Sequence, residues 1–519
     1  MTHATLNRRQ LLLIGTAGAA LAVYTPPLRA QTAEPRGTLR ISVNVTPNVL
    51  NPMLTRLGTE YMLAEMLYSG LTILGTDMTA QPDLATEWSS NADATEWRFT
   101  LRDDAVFSDG TPLTGNDVVA SFAKLLDPET AAPGRRNLGP ISTVSAEADN
   151  IIVVRTETPF ADLPVALTYP TAKVIPARIA EGDFESLARE PVGSGPFRLV
   201  EFRPDEVAIL ERRDDYYVPN QPYLDRVEIK TFPEASGSTV ALLAGEVDLM
   251  LEVPPSDFFR VSSADGITGM RTPSGRFLDV VMDCSVPPFN DQRVREALSY
   301  CVDRKAMVEL VAEGYGTPGN DTPINSAYRY YSEAPLKPYD PEKSRALLAE
   351  AGYPDGIQIE LVAATTPSFR ASLAVVLREM AAPGGFAIDL QTMDFSTYLA
   401  QVWKKGKFYV GFYNMLPAEG MSFNLLFTSD ASWNETKWNN KTFDSLVNAA
   451  DQTTDVAKRA EFYAKAQQLM REEVPAVIPC FFDVLGARAD YVNGYDQHPR
   501  GASFSLHKVW LGAGAPDKT

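Results

Sequence analysis

Several segments of the chain alternate apolar and polar residues, the pattern that predicts a half-buried β-strand. The clearest are Thr38–Val43 and residues 227–232 and 357–361. Two further segments, residues 278–282 and 476–482, are rich in apolar, strand-forming residues. Strands are therefore predicted from the beginning of the chain to near its end.

Helical patterns lie between these strands. Asp291 can cap a helix whose apolar side chains recur at i, i+3, i+4, i+7 and i+8, as on one buried face. These side chains are Val294, Ala297, Leu298, Cys301 and Val302. A second helix is predicted between the N-cap Asp340, with Pro341 in its first turn, and Gly352. A third is predicted over residues 457–471, so the chain reads as mixed α/β throughout.

The length of the chain suggests the number of domains, and its composition argues against some classes of partner. A chain of 519 residues suggests about three domains. The net charge is −19, from 47 basic and 66 acidic residues, which argues against binding to nucleic acid or to an anionic membrane face. With only three histidines, a His-rich metal site is not expected, and no cofactor is predicted.

Residues 1–30 are predicted to be an export signal. Arg8 and Arg9 precede an apolar run over residues 11–23, which is shorter than the roughly 20 residues that span a bilayer. The pattern resembles a twin-arginine signal, although an ordinary Sec signal stays open. No cysteine lies near the cleavage point for a lipid anchor. The mature protein is therefore expected in the periplasm.

Motifs for catalysis are missing from the sequence. There is no P-loop and no His-Glu-x-x-His, and Gly193-Ser194-Gly195 lacks the spacing of a nucleophile elbow. The protein is accordingly predicted not to be an enzyme, with no catalytic residue and no metal ligand. Cys301 is expected to be a buried free thiol, while a disulfide between Cys284 and Cys301 stays open.

Longer motifs carry a resemblance to a known family. QPDLATEW (residues 81–88) is followed by WRFTLRDDAVFSDGTPLTGNDVVASF (97–122). Further along come PVGSGPFRLVEF (191–202), RVREALSYCVDR (293–304) and YDPEKSRALLAEAGYPDG (339–356). In this order the motifs resemble the family 5 extracellular solute-binding proteins, the peptide- and nickel-binding receptors of ABC importers. The resemblance spans nearly the whole mature chain.

This resemblance implies an α/β fold of two lobes around a cleft, joined by a hinge, with an additional small domain on the first lobe. Matching segments assign residues 31–75, 190–272 and 481–519 to the core of lobe I. Residues 76–189 would form the small domain and residues 273–480 lobe II. The strand-like segments at 278–282 and 476–482 lie at the expected crossings between the lobes.

The resemblance also proposes a ligand-binding segment in lobe II. In peptide-binding members an acidic residue there pairs with the free amino group of the peptide. The matching segment here is VGFYNMLPAEG, residues 410–420, whose one acid is Glu419 and which lacks the usual Trp and Asp-rich run. This departure argues against an ordinary α-peptide. Candidate ligand contacts, with core packing as the alternative for the aromatic rings, are Phe395, Phe412, Tyr413, Asn414, Met415 and Glu419.

Arginines occupy three other segments that line the cleft in this family. Arginine suits bidentate contacts with carboxylates and phosphates, although each could be a surface residue or the partner of an acid. Together they predict an anionic solute. The residues, with neighbouring glycines, are Arg56 and Gly58, Arg135 next to Arg136, and Gly275 and Arg276.

The predicted function is capture of a peptide or peptide-like solute by hinge closure, followed by delivery to an ABC permease in the membrane. A monomer is expected. An opine, an oligosaccharide or a metal chelate stays open as the solute. An exported hydrolase and a chaperone-like binder of unfolded chains are the weaker alternatives.

Overall fold

A computed structural model describes residues 37–501 and 506–516, so the predicted export signal lies outside the described residues. The strands in these residues are β1 (Thr38–Val43), β2 (Thr72–Leu74), β3 (Ala80–Pro82), β4 (Ala85–Ser90), β5 (Glu96–Leu101), β6 (Ile141–Ala148), β7 (Ile151–Thr156), β8 (Phe197–Arg203), β9 (Val207–Arg212), β10 (Arg226–Thr231), β11 (Leu249–Met250), β12 (Ile267–Met282), β13 (Gly316–Pro318), β14 (Ile357–Ala364), β15 (Phe386–Met393), β16 (Phe408–Tyr413), β17 (Ala476–Ala489), β18 (Val492–Asn493) and β19 (Trp510–Leu511). The α-helices are α1 (Gly58–Leu67), α2 (Gly115–Leu126), α3 (Leu163–Ala166), α4 (Ala177–Ala180), α5 (Ala235–Leu243), α6 (Pro255–Ser262), α7 (Gln292–Tyr300), α8 (Arg304–Val311), α9 (Pro341–Glu350), α10 (Ser368–Ala381), α11 (Phe395–Gln401), α12 (Glu419–Leu426), α13 (Lys441–Asp451) and α14 (Val456–Glu473).

The elements predicted from periodicity are present. The three alternating segments form β1, β10 and β14, and the predicted helices are α7, α9 and α14. The Asp291 side chain caps α7 by accepting the Arg293 amide, and Asp340 caps α9. All three cysteines are free thiols, so the disulfide between Cys284 and Cys301 does not form.

One large sheet runs through the molecule in the order β15-β14-β16-β12-β17-β11-β1-β10-β9-β8. Its two longest strands, β12 and β17, pair antiparallel at the centre. Strands β11, β1, β10, β9 and β8 extend the sheet on one side, and β16, β14 and β15 extend it on the other. β12 and β17 contain the segments 278–282 and 476–482, and they connect the two halves of the sheet.

The apolar core is divided in the same way. One cluster combines buried residues from β1, α1, the four-stranded sheet and β10 with residues near the C-terminus. A second cluster draws all its buried residues from the stretch between Leu278 and Cys480. Each half of the large sheet therefore has its own hydrophobic core.

The pairing of β12 with β17 is interrupted between Thr272 and Arg276, where the register shifts. Gly275 lies in this interruption. A Cβ at this position would sit 2.5 Å from the Tyr328 ring and 2.8 Å from the Met415 side chain, so the close approach requires glycine.

A smaller antiparallel sheet, β4-β5-β7-β6, packs with α2 beside the first half. The residues after β7 contact the second half: the Ala161 amide donates to the Asp451 carbonyl at 2.8 Å, and Asp162 pairs with Arg459 at 2.6 Å. Within residues 37–501 and 506–516, none of the helices is long and apolar enough to cross a membrane.

Candidate ligand-binding site

A cavity of about 430 Å³ lies beside β12, where the two halves of the sheet meet. One wall comes from the end of β1, the start of α1, α5 and the residues after β11. The other comes from α10, β16 and the residue after it. We call it the Arg276 cavity, and its lining is Ser42, Val43, Asn44, Val45, Leu57, Gly58, Thr59, Met62, Ala235, Ser238, Met250, Leu251, Glu252, Arg276, Phe369, Phe412 and Asn414.

The start of α1 is fixed at the edge of this cavity by its own capping contacts. The Glu60 carboxylate accepts the amides of Arg56 and Leu57 at 2.7 and 3.0 Å, which satisfies two backbone donors at the helix N-terminus. Leu57 and Val45 stay 40% and 45% exposed, a large fraction for apolar side chains. The cavity therefore presents apolar surface that a bound solute could cover.

Arg276 supplies the positive charge of this cavity. Its Nη1 donates to Glu252 Oε1 at 3.2 Å, and its Nη2 donates to the Asp483 carbonyl at 3.3 Å. Its Nε is buried and has no hydrogen-bond partner among the described residues. Arg276 is thus partly neutralised by one exposed carboxylate and keeps one donor unused.

Aromatic rings form the opposite wall. Phe412 packs against Phe369 with ring centroids 4.9 Å apart, and Phe482 lies 5.0 Å from Phe369. The Arg370 guanidinium sits 5.8 Å from the Phe412 ring centroid, and 5.1 Å from that of Phe395. This wall is suited to a flat apolar group.

Two buried carboxyl groups lie behind this wall. Burial raises the pKa of Glu435 to about 7 and holds the pKa of Asp279 well above its usual range, against the opposing charge of Arg370. Asp279 Oδ1 and Glu435 Oε2 have no hydrogen-bond partner among the described residues. Both carboxyls therefore favour the protonated form at pH values at which a solvated acid would be ionised.

A second cavity, of about 410 Å³, lies between the small sheet and the second half of the molecule. We call it the Arg136 cavity, after the residue whose guanidinium lies 5.9 Å from the Trp433 ring centroid. Its lining is Arg136, Asn137, Gly139, Pro140, Thr158, Pro159, Phe160, Leu416, Met421, Asn424, Leu425, Ser432, Asn448 and Asp451.

Four of the residues predicted for the ligand site line the Arg276 cavity: Gly58, Arg276, Phe412 and Asn414. Two further predicted residues, Gly275 and Met415, are next to Arg276 and Asn414 in the sequence and are buried. The Gly275 amide donates to the sulfur of Met415 at 3.2 Å. The structure thus brings the start of α1, the first crossing and the residues around the end of β16 to one place.

Four other predicted residues lie elsewhere. Arg56 is exposed next to the cavity, and Tyr413 packs against Phe277 and Trp433. Phe395 begins α11 and is 38% exposed. Arg135 is exposed and lines a different cavity, formed by residues 126–157 alone.

Glu419 is built into the protein interior at the start of α12. Its carboxylate accepts the Tyr330 amide at 2.5 Å, and only 3% of the residue is exposed. Burial raises the pKa of this group to about 7, and the nearby Asp162 carboxylate acts in the same direction. It lines a third cavity, which includes Asp162 and Arg459, and does not line the Arg276 cavity.

Sequence reasoning missed Arg500. Its Nε donates to the Met415 carbonyl at 3.1 Å, and Tyr61, Tyr169 and Tyr328 lie close enough to influence its charge. No periodic pattern or motif surrounds it in the sequence, since the contact joins residues 85 positions apart. Only the folded chain reveals it.

Comparison with known proteins identifies the family. The model of the bacterial extracellular solute-binding proteins, family 5 (middle region), matches residues 79–437. The chain belongs to the family 5 bacterial extracellular solute-binding proteins. It is 26% identical to heme-binding protein A of Haemophilus influenzae, over 88% of this chain and 89% of that protein. It is 25% identical to the glutathione-binding protein GsiB of Shigella flexneri serotype 5b, over 83% and 87%.

The fold is shared with solved structures. The PBP AgaA from A. tumefaciens R10, in complex with agropinic acid, superposes with a TM-score of 0.74 at 26% identity, covering 92% of this chain and 99% of that one. The two-lobed α/β binding-protein fold predicted from the sequence is confirmed, and so is the family. The family binds solutes outside the cytoplasm.

Proposed function

We propose that this protein is the periplasmic solute receptor of an ABC importer, and that the solute binds in the Arg276 cavity. The observation that carries the proposal is the composition of that cavity. Segments from both halves of the sheet meet there, with apolar walls and one arginine between them. Small-molecule sites in proteins have this combination of apolar lining and few polar groups.

The cavity favours a solute with an apolar body and an anionic group. Phe369, Phe412 and Leu57 would contact the apolar part, while the Arg276 guanidinium would donate to the anion. Heme, glutathione and agropinic acid, named for three similar proteins, all carry carboxylates. A carboxylate-bearing solute, peptide-like or not, is therefore the class that we infer.

Closure of the two lobes would complete the site. The register shift between Thr272 and Arg276 is a weak point in the central strand pair, and we infer that it acts as a hinge. Under this proposal the domains follow the sequence prediction: lobe I from residues 31–75, 190–272 and 481–519, the small domain from 76–189, and lobe II from 273–480. The closed monomer would dock on the membrane permease.

A hydrolase is the less favoured alternative. The Ser194 hydroxyl is buried, and the flanking carbonyls of Gly193 and Gly195 accept from Arg213 Nη1. A Cβ on either glycine would overlap the backbone of α1. This segment therefore serves packing, which supports binding rather than catalysis.

Native mass spectrometry of protein purified from its own periplasm tests the proposal. The expected result is one small molecule per chain, of anionic character, released on denaturation. Calorimetric titration of the stripped protein with hemin, glutathione and agropinic acid then compares its affinities for three defined probes. A protein that retains no small molecule and binds none of the three contradicts the proposed function.

A further inference from the structure

Arg500 lies at the junction of four segments of the chain. Its backbone amide donates to His498 Nδ1 at 3.1 Å, which holds the start of the side chain in place. Its Nε donates to the carbonyl of Met415, after β16. Tyr61 comes from α1, Tyr169 from the residues after α3, and Tyr328 from the loop before α9.

The charge of Arg500 has no carboxylate partner within ion-pair distance among the described residues. Its Nη1 is buried without a hydrogen-bond acceptor. Glu65, an acid whose charge influences Arg500, is already paired with Lys173 at 2.7 Å, and both of those side chains are buried. Burial lowers the pKa of Arg500, as expected for an uncompensated charge.

An unpaired buried guanidinium is costly, because a donor removed from water without an acceptor loses its hydration. A purely structural arginine would normally be satisfied by carbonyls or a carboxylate. Arg213 and Arg295 are so satisfied, each donating to three backbone carbonyls. Among the described residues Arg500 makes one such bond from its side chain, and its Nη1 still lacks an acceptor.

The tyrosines around Arg500 offer a further donor. The hydroxyls of Tyr61 and Tyr169 are 3.1 Å apart. Only one of them donates in this pair, so the other keeps a proton that can be given to an anion. Tyr328 is engaged, since its hydroxyl accepts the Leu416 amide and contacts Ser422.

Arg500 is linked to both cavities through Met415. Asn414 lines the Arg276 cavity and Leu416 lines the Arg136 cavity, and Arg500 holds the carbonyl of Met415, the residue between them. Tyr61 lies in the same helix as Gly58 and Met62, which line the Arg276 cavity.

We propose that Arg500 is a carboxylate-binding residue of the solute site, and that a solute carboxylate accepts from its unpaired Nη1 while its Nε keeps the Met415 carbonyl. This inference rests on the proposed function and adds to it the place of the anion. The carboxylate would lie between Arg500 and the Tyr61–Tyr169 pair. The body of the solute would extend from there into the Arg276 cavity, the Arg136 cavity or both.

The experiment uses matched probes that differ only in their carboxylates: hemin with its dimethyl ester, and glutathione with its diethyl ester. Calorimetric titration measures each with the wild type, Arg500→Gln, Arg500→Lys and the control Arg378→Gln, whose side chain is 42% exposed. A charge-assisted bond contributes about 1.5–3 kcal/mol, so Arg500→Gln should weaken binding of the acid by about ten- to a hundredfold. The ester should bind both proteins equally, and the lysine variant should fall between.

The outcomes are distinct. Equal binding of the acid to wild type and Arg500→Gln, or equal binding of acid and ester to the wild type, overturns the inference and leaves the proposed function standing. If the glutamine variant is unfolded by circular dichroism, the lysine variant decides, because it keeps the charge but not the planar fork. Undiminished binding of the acid by Arg500→Lys then overturns the inference. A wild type that retains no small molecule from its periplasm and binds none of the four probes contradicts the proposed function, and the inference falls with it.

Discussion

At the scale of single residues, Arg276 and Glu419 have opposite surroundings. Arg276 lines a cavity with one donor unused, whereas Glu419 is buried and already accepts a backbone amide. The acid that the resemblance proposed as the partner of a peptide amine is therefore enclosed in the interior. We therefore expect the protein to recognise its solute through an anionic group and not through an amine.

We expect Arg276→Ala to weaken solute binding by about ten- to a hundredfold, because a charge-assisted hydrogen bond is lost. Glu419→Gln should change the affinity little, since Gln keeps an acceptor for the Tyr330 amide. Titration calorimetry with the retained solute measures both. The control is Arg378→Ala at an exposed position. Loss of binding in Glu419→Gln with a silent Arg276→Ala would identify an amine clamp instead.

Part of the pH dependence of stability follows from Glu419. Its pKa rises from 4.5 to about 7 on folding, so the native state binds a proton more tightly than the unfolded state does. The resulting stabilisation is full below about pH 4.5 and is lost as the pH rises through 7. For so buried a group the change amounts to roughly 2–3 kcal/mol.

Glu419→Gln should remove the part of this dependence that Glu419 causes, while the part from Glu435 remains. Relative to the wild type, the variant should gain stability between pH 5 and pH 8, because Gln cannot ionise. Urea unfolding at both pH values measures the difference, with Glu360→Gln, an exposed residue of β14, as the control. An identical difference between variant and wild type at both pH values would show that Glu419 does not titrate in this range.

At the scale of elements, periodicity predicted the helices and strands that are determined by local sequence. The apolar stripe of α7, the cap and proline of α9 and the alternation of β1 follow from residues close together in the chain. The order of strands in the large sheet does not, since β12 and β17 are about 200 residues apart. The family resemblance predicted two crossings between the lobes there, and the structure shows that the two strands pair with each other.

The candidate site was also predicted only in part from the sequence. The resemblance led to Gly58, Arg276, Phe412 and Asn414, which lie in cleft-lining segments of the family. It did not lead to Phe369 or Arg500. Their contacts depend on how α10 and the C-terminal segment pack in this chain, and no short motif records that packing.

Gly275→Ala tests the crossing element. The added Cβ would overlap the buried Tyr328 ring and Met415, so the central strand pair should be strained. We expect a lower melting temperature and weaker solute binding, measured by scanning calorimetry and titration. Gly237→Ala in α5, whose Cβ would meet only an ordinary contact at 3.6 Å, should be neutral or stabilising. A Gly275→Ala protein as stable as the wild type would mean that the crossing tolerates a side chain.

At the scale of the whole molecule, export should depend on the paired arginines at the N-terminus. Changing Arg8 and Arg9 to Lys keeps the charge but removes the pair that twin-arginine recognition requires. We expect the precursor to accumulate in the cytoplasm, as measured by fractionation and immunoblotting. A Sec signal needs only positive charge, so undiminished periplasmic protein in the double-lysine variant would indicate that route.

The central claim is that the two lobes capture an anionic solute by closing on it. Small-angle scattering of the stripped protein, without and with saturating amounts of the solute retained from the periplasm, tests it most directly. Closure about the interruption at Thr272–Arg276 predicts a smaller radius of gyration in the bound form, with one solute per chain by calorimetry. An unchanged radius with the solute demonstrably bound would contradict capture by closure.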